Sequence, residues 1–194
     1  MKIIAFIPAR YSSSRFPGKP LADICGKPMI WWVYNQAKKV EIIDNIYVAT
    51  DDDRIKIVCE NYNIPVIMTS EHHPTGTDRV AEASERFIAD LFVNIQGDEP
   101  MIDPDSILAA ILPFTKENDF LVTNLMAKII NPVELINNTV PKVICNSENI
   151  GVFLSRNPIP YPKGSIGYGA YGLTLEPRRL DNLVARFRHY RRYS

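Results

Sequence analysis

The spacing of apolar residues changes period several times along this chain, and each change marks an element. Ile3-Ile4-Ala5-Phe6-Ile7 is an unbroken apolar run of strand length. No polar residue alternates within it, so it fits a strand covered on both faces, as in a parallel sheet. Shorter runs at 45–50 (Ile46, Val48), 65–68 and 91–95 predict further strands. Between them the period becomes helical. Ile30, Val33, Tyr34 and Ala37 fall on one face and predict a helix over 29–40. Ile55, Val58 and Cys59 predict another, opened by Asp51-Asp52-Asp53 and running to about Asn61. Val80, Ala81, Ala83 and Phe87 predict a third over 78–89, and 106–112 a fourth. Stretches 120–126, 140–145 and 152–154 again read as strands. Trp31 and Trp32 are adjacent and so point in different directions. At least one is expected in the core, and neither is assigned to a ligand.

Strand and helix alternate up to residue 126, with loops shorter than the helices. This predicts an α/β fold: an open, mostly parallel sheet with helices on both faces. The 194 residues suffice for one domain, or one domain with a small appendage. A net charge of zero gives no global attraction to nucleic acid or to an anionic membrane. No charge-free run approaches the roughly 18–20 residues of a membrane span. A strand at the very start leaves no room for a signal peptide. The three cysteines, Cys25, Cys59 and Cys145, are far apart and form no CxxC or Cys/His spacing. They predict neither zinc nor a disulfide framework, and the expectation is a cytoplasmic protein with reduced thiols.

Candidate chemistry lies in the loops that follow strands, where open α/β sheets bind ligands. After the first strand comes Pro8-Ala9-Arg10-Tyr11-Ser12-Ser13-Ser14-Arg15-Phe16-Pro17-Gly18-Lys19-Pro20. Three cations (Arg10, Arg15, Lys19) and three hydroxyls there are equipment for a polyphosphate. Gly18 after Pro17 predicts a turn residue with positive φ. The spacing matches neither a P-loop nor a dinucleotide-binding glycine run. After the strand at 91–95 comes Gln96-Gly97-Asp98-Glu99-Pro100. Carboxylates beside a glycine at a strand end suit Mg²⁺, which takes one or two protein carboxylates and completes its shell with water and phosphate oxygens. Glu99 is equally explained as an acid entering a helix; Gln96, Gly97 and Asp98 are not. Asp51-Asp52-Asp53 is better read as acids opening a helix than as a metal site. His72 and His73, before Pro74, read as surface residues rather than a general base. Together the two loops predict nucleotidyl or phosphoryl transfer.

Several ordered motifs are similar to those of the CMP-sugar synthetases. They are Ile7 to Leu21, Val48-Ala49-Thr50-Asp51, Thr75-Gly76-Thr77-Asp78-Arg79, Asn94 to Pro100, Ser155 to Pro160 and Gly169 to Leu173. Within that family the chain most resembles the branch acting on 3-deoxy-manno-octulosonate (Kdo), over about residues 2–175. The resemblance implies a Rossmann-like nucleotidyltransferase core that uses Mg²⁺. It implies transfer of CMP from CTP to an acid sugar, with pyrophosphate released. It implies that Arg10, Arg15 and Lys19 grip the triphosphate. Pro8 and Ala9, with Thr75, Gly76 and Thr77, would hold the cytosine side, and Asp98 would carry the metal. Gln96, Arg156 and Tyr171 would lie toward the sugar acid. Members of the family dimerise. An acylneuraminate or an amino analogue of Kdo are alternative acid sugars.

The chain departs from the family after Tyr171, where the Gly-x-Asp-Thr-Pro-type segment is not found. Residues 1–175 form the nucleotidyltransferase domain in this reading, and 176–194 a divergent tail. The tail holds six arginines and no lysine, against six arginines and ten lysines before it. The shift favours a shortened chain with a scrambled frame, and hence weakened catalysis. The other readings are a basic helix for a partner, since Leu180, Leu183, Val184 and Phe187 have helical spacing, and a cloned variant.

Overall fold

A computed structural model describes residues 1–12, 16–116, 120–159 and 178–185, the last stretch as backbone. In chain order the elements are β1 (Ile3–Ala9), β2 (Asp23–Ile24), β3 (Lys27–Pro28), α1 (Met29–Ala37), β4 (Asn45–Thr50), α2 (Asp53–Asn61) and β5 (Val66–Met68). Then come α3 (Gly76–Ser84), β6 (Leu91–Asn94), α4 (Pro104–Ile111), β7 (Val122–Lys128), α5 (Pro132–Ile136), β8 (Lys142–Cys145), β9 (Gly151–Ser155) and β10 (Arg178–Ala185). Single 3₁₀ turns occupy Lys19–Leu21 and Leu112–Thr115. The contacts divide the chain into two units, one of residues 1–123 that resumes at 183, the other of residues 124–182.

The first unit is built on a parallel sheet in the order β5-β4-β1-β6. Residues 3–7 of β1 are all fully buried, as a two-faced strand requires. On one face Ile4 and Phe6 pack with Ala49, Ile67 and Phe92 and with Val80 and Ala83 of α3. The rings of Phe6, Tyr47, Phe87 and Phe92 form an aromatic group there, with centroids 4.8–6.1 Å apart. Ile3, Ala5 and Ile7 alternate to the other face, and α1 packs against the same strand.

Several expectations shift. The third helix starts at Gly76 rather than 78 because Thr75 and Asp78 form a capping box. It also ends at Ser84, and Phe87 reaches the core from the turn beyond. The first helix stops at Ala37, and Val40 is buried from the following turn. Neither tryptophan is fully buried. Their rings meet edge to face, 4.9 Å apart at 87°, and Trp32 Nε1 donates to the Ile24 carbonyl at 2.8 Å. The alternating pattern had extended the parallel sheet to the strand near 120–126, but that segment, as β7, belongs to a second sheet.

The second sheet has the order β7-β10-β8-β9, with β8 antiparallel to both β9 and β10. Arg178–Ala185 is therefore strand, not helix. Eight residues are too few for apolar spacing to fix the period, and its place between β7 and β8, with Arg178 and Arg179 paired to β8, decides it. Leu135 and Val143 are buried in this unit. The helix α5 was not legible in the sequence: it spans five residues, started by Asn131, whose side chain accepts from the Val133 N–H. Among the described residues no helix is long and apolar enough to cross a membrane.

Candidate active site

Three loops of the first unit meet at Pro8, the penultimate residue of β1. Central placement of β1 puts the ends of β4 and β6 on either side of it. A Cβ on Gly97, just past β6, would lie 2.6 Å from the Pro8 carbonyl oxygen. A Cβ on Gly76, the first residue of α3, would lie 3.3 Å from Pro8 Cγ. Position 97 thus accepts only glycine without backbone movement, and position 76 is tight. Close backbone approach is a recurring use of glycine at ligand sites.

The cationic loop reaches the acidic one directly. Gly18 has φ +71°, as expected for the Pro17-Gly18 turn, and its N–H donates to the Tyr11 carbonyl at 2.8 Å. That turn launches Lys19, whose Nζ donates to Asp98 Oδ2 at 2.6 Å. Both side chains are partly exposed, at 36% and 52%. Lys19 and Asp98 come from residues 79 apart in the chain, and they face one another at the carboxyl ends of the strands. Arg10 is exposed immediately after β1, Ala9 is buried in the sheet beside Thr50, and Gln96 is half-buried. Thr75 Oγ1 is engaged in capping: it accepts from Asp78 N–H at 3.2 Å and donates to Asp78 Oδ2. Thr77 lies half-buried in the first turn of α3. Arg15 and Tyr171 lie outside the described residues.

Sequence reasoning quoted Arg79 in a motif but gave it no role. It is 3% exposed and holds α3 to two strand ends. Its Nη2 donates to Asp51 Oδ2 at 2.6 Å, and its Nη1 to Thr69 Oγ1. An arginine next to Val80 on the buried side of a helix was the available signal. Asp52 caps α2, as the helix-entry reading expected, and pairs with Arg54. The Arg54 hydrogen bond holds the Asp52 carboxyl below its usual range. The Arg54 guanidinium lies 3.3 Å from the Tyr11 ring centroid, over the loop that carries the cations. His73 is not a plain surface residue. Its Nε2 is 2.5 Å from Glu82 Oε2, an oxygen that also accepts from the Ser70 N–H at 2.8 Å. The Ser70 N–H, then His73, lower the Glu82 carboxyl's pKa.

The donor set suits a hard cation shared with a ligand better than an all-protein cage. Among the described residues no three His, Cys, Asp or Glu side chains cluster. Asp98 offers one partly exposed carboxylate beside a lysine, an arrangement that fits Mg²⁺ arriving with phosphate oxygens.

In the second unit, Arg156 Nη1 donates to the carbonyls of Asn138 at 3.2 Å and Thr139 at 3.1 Å. Nearby Lys142 is fully buried, and its Nζ donates to the carbonyls of Asn137 at 2.5 Å and Arg156 at 2.7 Å. Burial, and then the Arg156 charge, lower the Lys142 pKa. Lys142 was not singled out by sequence reasoning, because a lysine opening a strand ordinarily faces water.

Known proteins resemble this chain closely. A 3-deoxy-manno-octulosonate cytidylyltransferase of Syntrophotalea carbinolica is 45% identical over 163 residues, 84% of this chain and 65% of the relative. An 8-amino-3,8-dideoxy-manno-octulosonate cytidylyltransferase of Shewanella baltica is 43% identical over 175 residues, 88% and 71% of the two chains. The solved structure of a CMP:2-keto-3-deoxy-manno-octonic acid synthetase complexed with CTP superposes with a TM-score of 0.87. It is 35% identical and covers 96% of this chain and 74% of its own. The chain spans 63–65% of the length of several such relatives, just under two thirds. The sequence profile of the cytidylyltransferases matches residues 4–178, and with this fold and these identities the chain belongs to the cytidylyltransferase family.

Proposed function

We propose that this protein transfers CMP from CTP to the anomeric hydroxyl of Kdo, releasing pyrophosphate. One observation carries the reading: Lys19 and Asp98 meet at 2.6 Å, and Gly97, the residue before Asp98, packs against the Pro8 carbonyl of the cationic loop. That juxtaposition offers a cation for phosphate and a carboxylate for a divalent ion.

The sugar hydroxyl attacks the α-phosphorus. Its oxygen–phosphorus bond forms as the bond from the α-phosphorus to the bridging α,β-oxygen breaks, and the hydroxyl proton passes to solvent. No protein nucleophile is needed, so catalysis rests on in-line positioning and charge stabilisation. Arg10, Arg15 and Lys19 hold the triphosphate and the developing negative charge on the leaving pyrophosphate. Pro8 and Ala9 backbone, with Thr75, Gly76 and Thr77, orient the cytosine. Gln96, Arg156 and Tyr171 are assigned to the acid sugar, the arginine to its carboxylate, for which a guanidinium fork is suited. Asp98 would hold Mg²⁺, which supplies charge neutralisation on the phosphates. The reaction belongs in the cytoplasm, where it would serve lipopolysaccharide or capsule synthesis.

Pyrophosphate release with CTP, Kdo and Mg²⁺ is the test. Lys19→Ala should lower kcat/KM at least about a hundredfold, the scale expected for a lost charge-stabilising donor. Asp98→Ala should abolish the Mg²⁺ response while leaving the thermal melt in place. CTP binding without turnover on any acid sugar would overturn the reading. The Shewanella baltica relative favours a second acceptor, the 8-amino analogue of Kdo. Comparing kcat/KM for the two sugars decides between them.

A further inference from the structure

We propose that Lys142 is a positioning residue for the carboxylate of the acid sugar: its buried ammonium fixes the Arg156 backbone and thereby aims the Arg156 guanidinium. The inference rests on the function proposed above and names how that function selects an acid.

Lys142 opens β8, the strand between β10 and β9, and pairs in register with Ser155, the residue before Arg156. Its side chain is fully buried. A buried ammonium is costly unless it is paired. Among the described residues no carboxylate lies within ion-pair distance of it. Its partners are two backbone carbonyls, those of Asn137 and Arg156. Two neutral carbonyls satisfy two of the three N–H donors and do not neutralise the charge.

Arg156 shows the same pattern. It too makes no ion pair among the described residues, and its Nη1 is held by the carbonyls of Asn138 and Thr139. Three successive carbonyls, 137 to 139, therefore receive the two cations. The turn after α5 works as a bracket: Lys142 clamps the backbone of Arg156 to it from within, and Arg156 Nη1 clamps its own side chain to it. The bracket holds one corner of the guanidinium, and Arg156 is exposed, so the rest of the fork can take a carboxylate. Among the described residues neither of these adjacent cations has an acidic partner, and an added anion is what that arrangement would take up. Lys142, having no exposed surface, acts through Arg156 rather than by contact.

The test is a double-mutant cycle on the full chain, read by pyrophosphate release with separate KM values for CTP and Kdo. Lys142→Met should raise the Kdo KM about tenfold and leave the CTP KM within about twofold, because the CTP loops belong to the first unit. Arg156→Ala should raise the Kdo KM further. The double variant should match Arg156→Ala within about twofold, since a residue acting through another adds nothing once that other is gone. Where Lys142→Met gives no folded protein by circular dichroism, Lys142→Gln replaces it, neutral but still a donor. Equal rises in both KM values, an unchanged Kdo KM, or additive losses would overturn the inference. Wild-type protein inactive on every acid sugar, or an Arg156→Ala variant with normal Kdo KM, would instead sink the proposed function. Normal wild-type and Arg156→Ala behaviour beside a silent Lys142 variant sinks the inference alone.

Discussion

β1 in the first unit and β9 in the second are both strands of consecutive apolar residues, and their environments are opposite. Ile3 to Ile7 of β1 are wholly buried, whereas Phe153 of β9 is 56% exposed and its neighbours Val152 and Leu154 are exposed as well. The difference follows from connectivity. β1, β4, β5 and β6 are parallel, and parallel neighbours need crossovers, whose helices cover the sheet. β8 and β9 are antiparallel and joined by residues 146–150, a link too short to bring a covering helix. An apolar run therefore announces a strand, while the connection that sets its neighbour beside it decides whether that strand is covered.

Substitution can break this contrast. Phe6→Ala should cost about 3–5 kcal/mol, since it empties the centre of the aromatic group. Phe153→Ala should cost no more than about 0.5 kcal/mol. Comparable losses in urea titrations would show that β9 is as enclosed as β1. Arg79→Gln comes next, at about 3 kcal/mol, because it leaves the Asp51 carboxylate without its buried partner. The same variant should weaken CTP binding, as α3 carries Gly76 against Pro8. A full-strength calorimetric CTP isotherm would dissociate the Arg79 clamp from the site.

Gly97→Ala should cost about 1–3 kcal/mol by overpacking and lower kcat/KM, because the new methyl would meet a backbone oxygen. Gly26 is the control. It has φ +82° but open space around it, so Gly26→Ala should cost about 1 kcal/mol in backbone strain and leave activity intact. If both variants lose only stability, the approach of Gly97 to Pro8 has no part in binding. The smallest effect is expected at Glu82. Its folded pKa is lowered, so its contribution to stability is full above the ordinary carboxylate value of about 4.3 and is lost as pH falls through the folded value. Glu82→Gln should melt slightly below wild type at pH 7, and the gap should narrow as the pH is lowered below the ordinary carboxylate value.

Much of the first unit was legible because each of its signals is local. Asn45–Thr50 and the end of the helix at Asn61 are observed where they were expected. The positive φ of Gly18 followed from Pro-Gly turn chemistry. The two loops were found because cations and carboxylates follow strands in the sequence. Errors arose where a distant partner overrode the local pattern. The alternative reading of the tail as a basic helix also fails at residues 178–185, which form a strand. The tryptophans satisfied one another instead of the core.

By itself the sequence determined the four strands of the parallel sheet, the helices between them and the two charged loops, because apolar periodicity and turn chemistry act over a few neighbouring residues. Only the tertiary structure decided that positions 8, 76 and 97 touch, that Lys19 reaches Asp98, and that Lys142 lies under Arg156. Those contacts depend on which strands lie side by side, and strand order is set by packing of the whole unit, not by any stretch short enough to show a pattern.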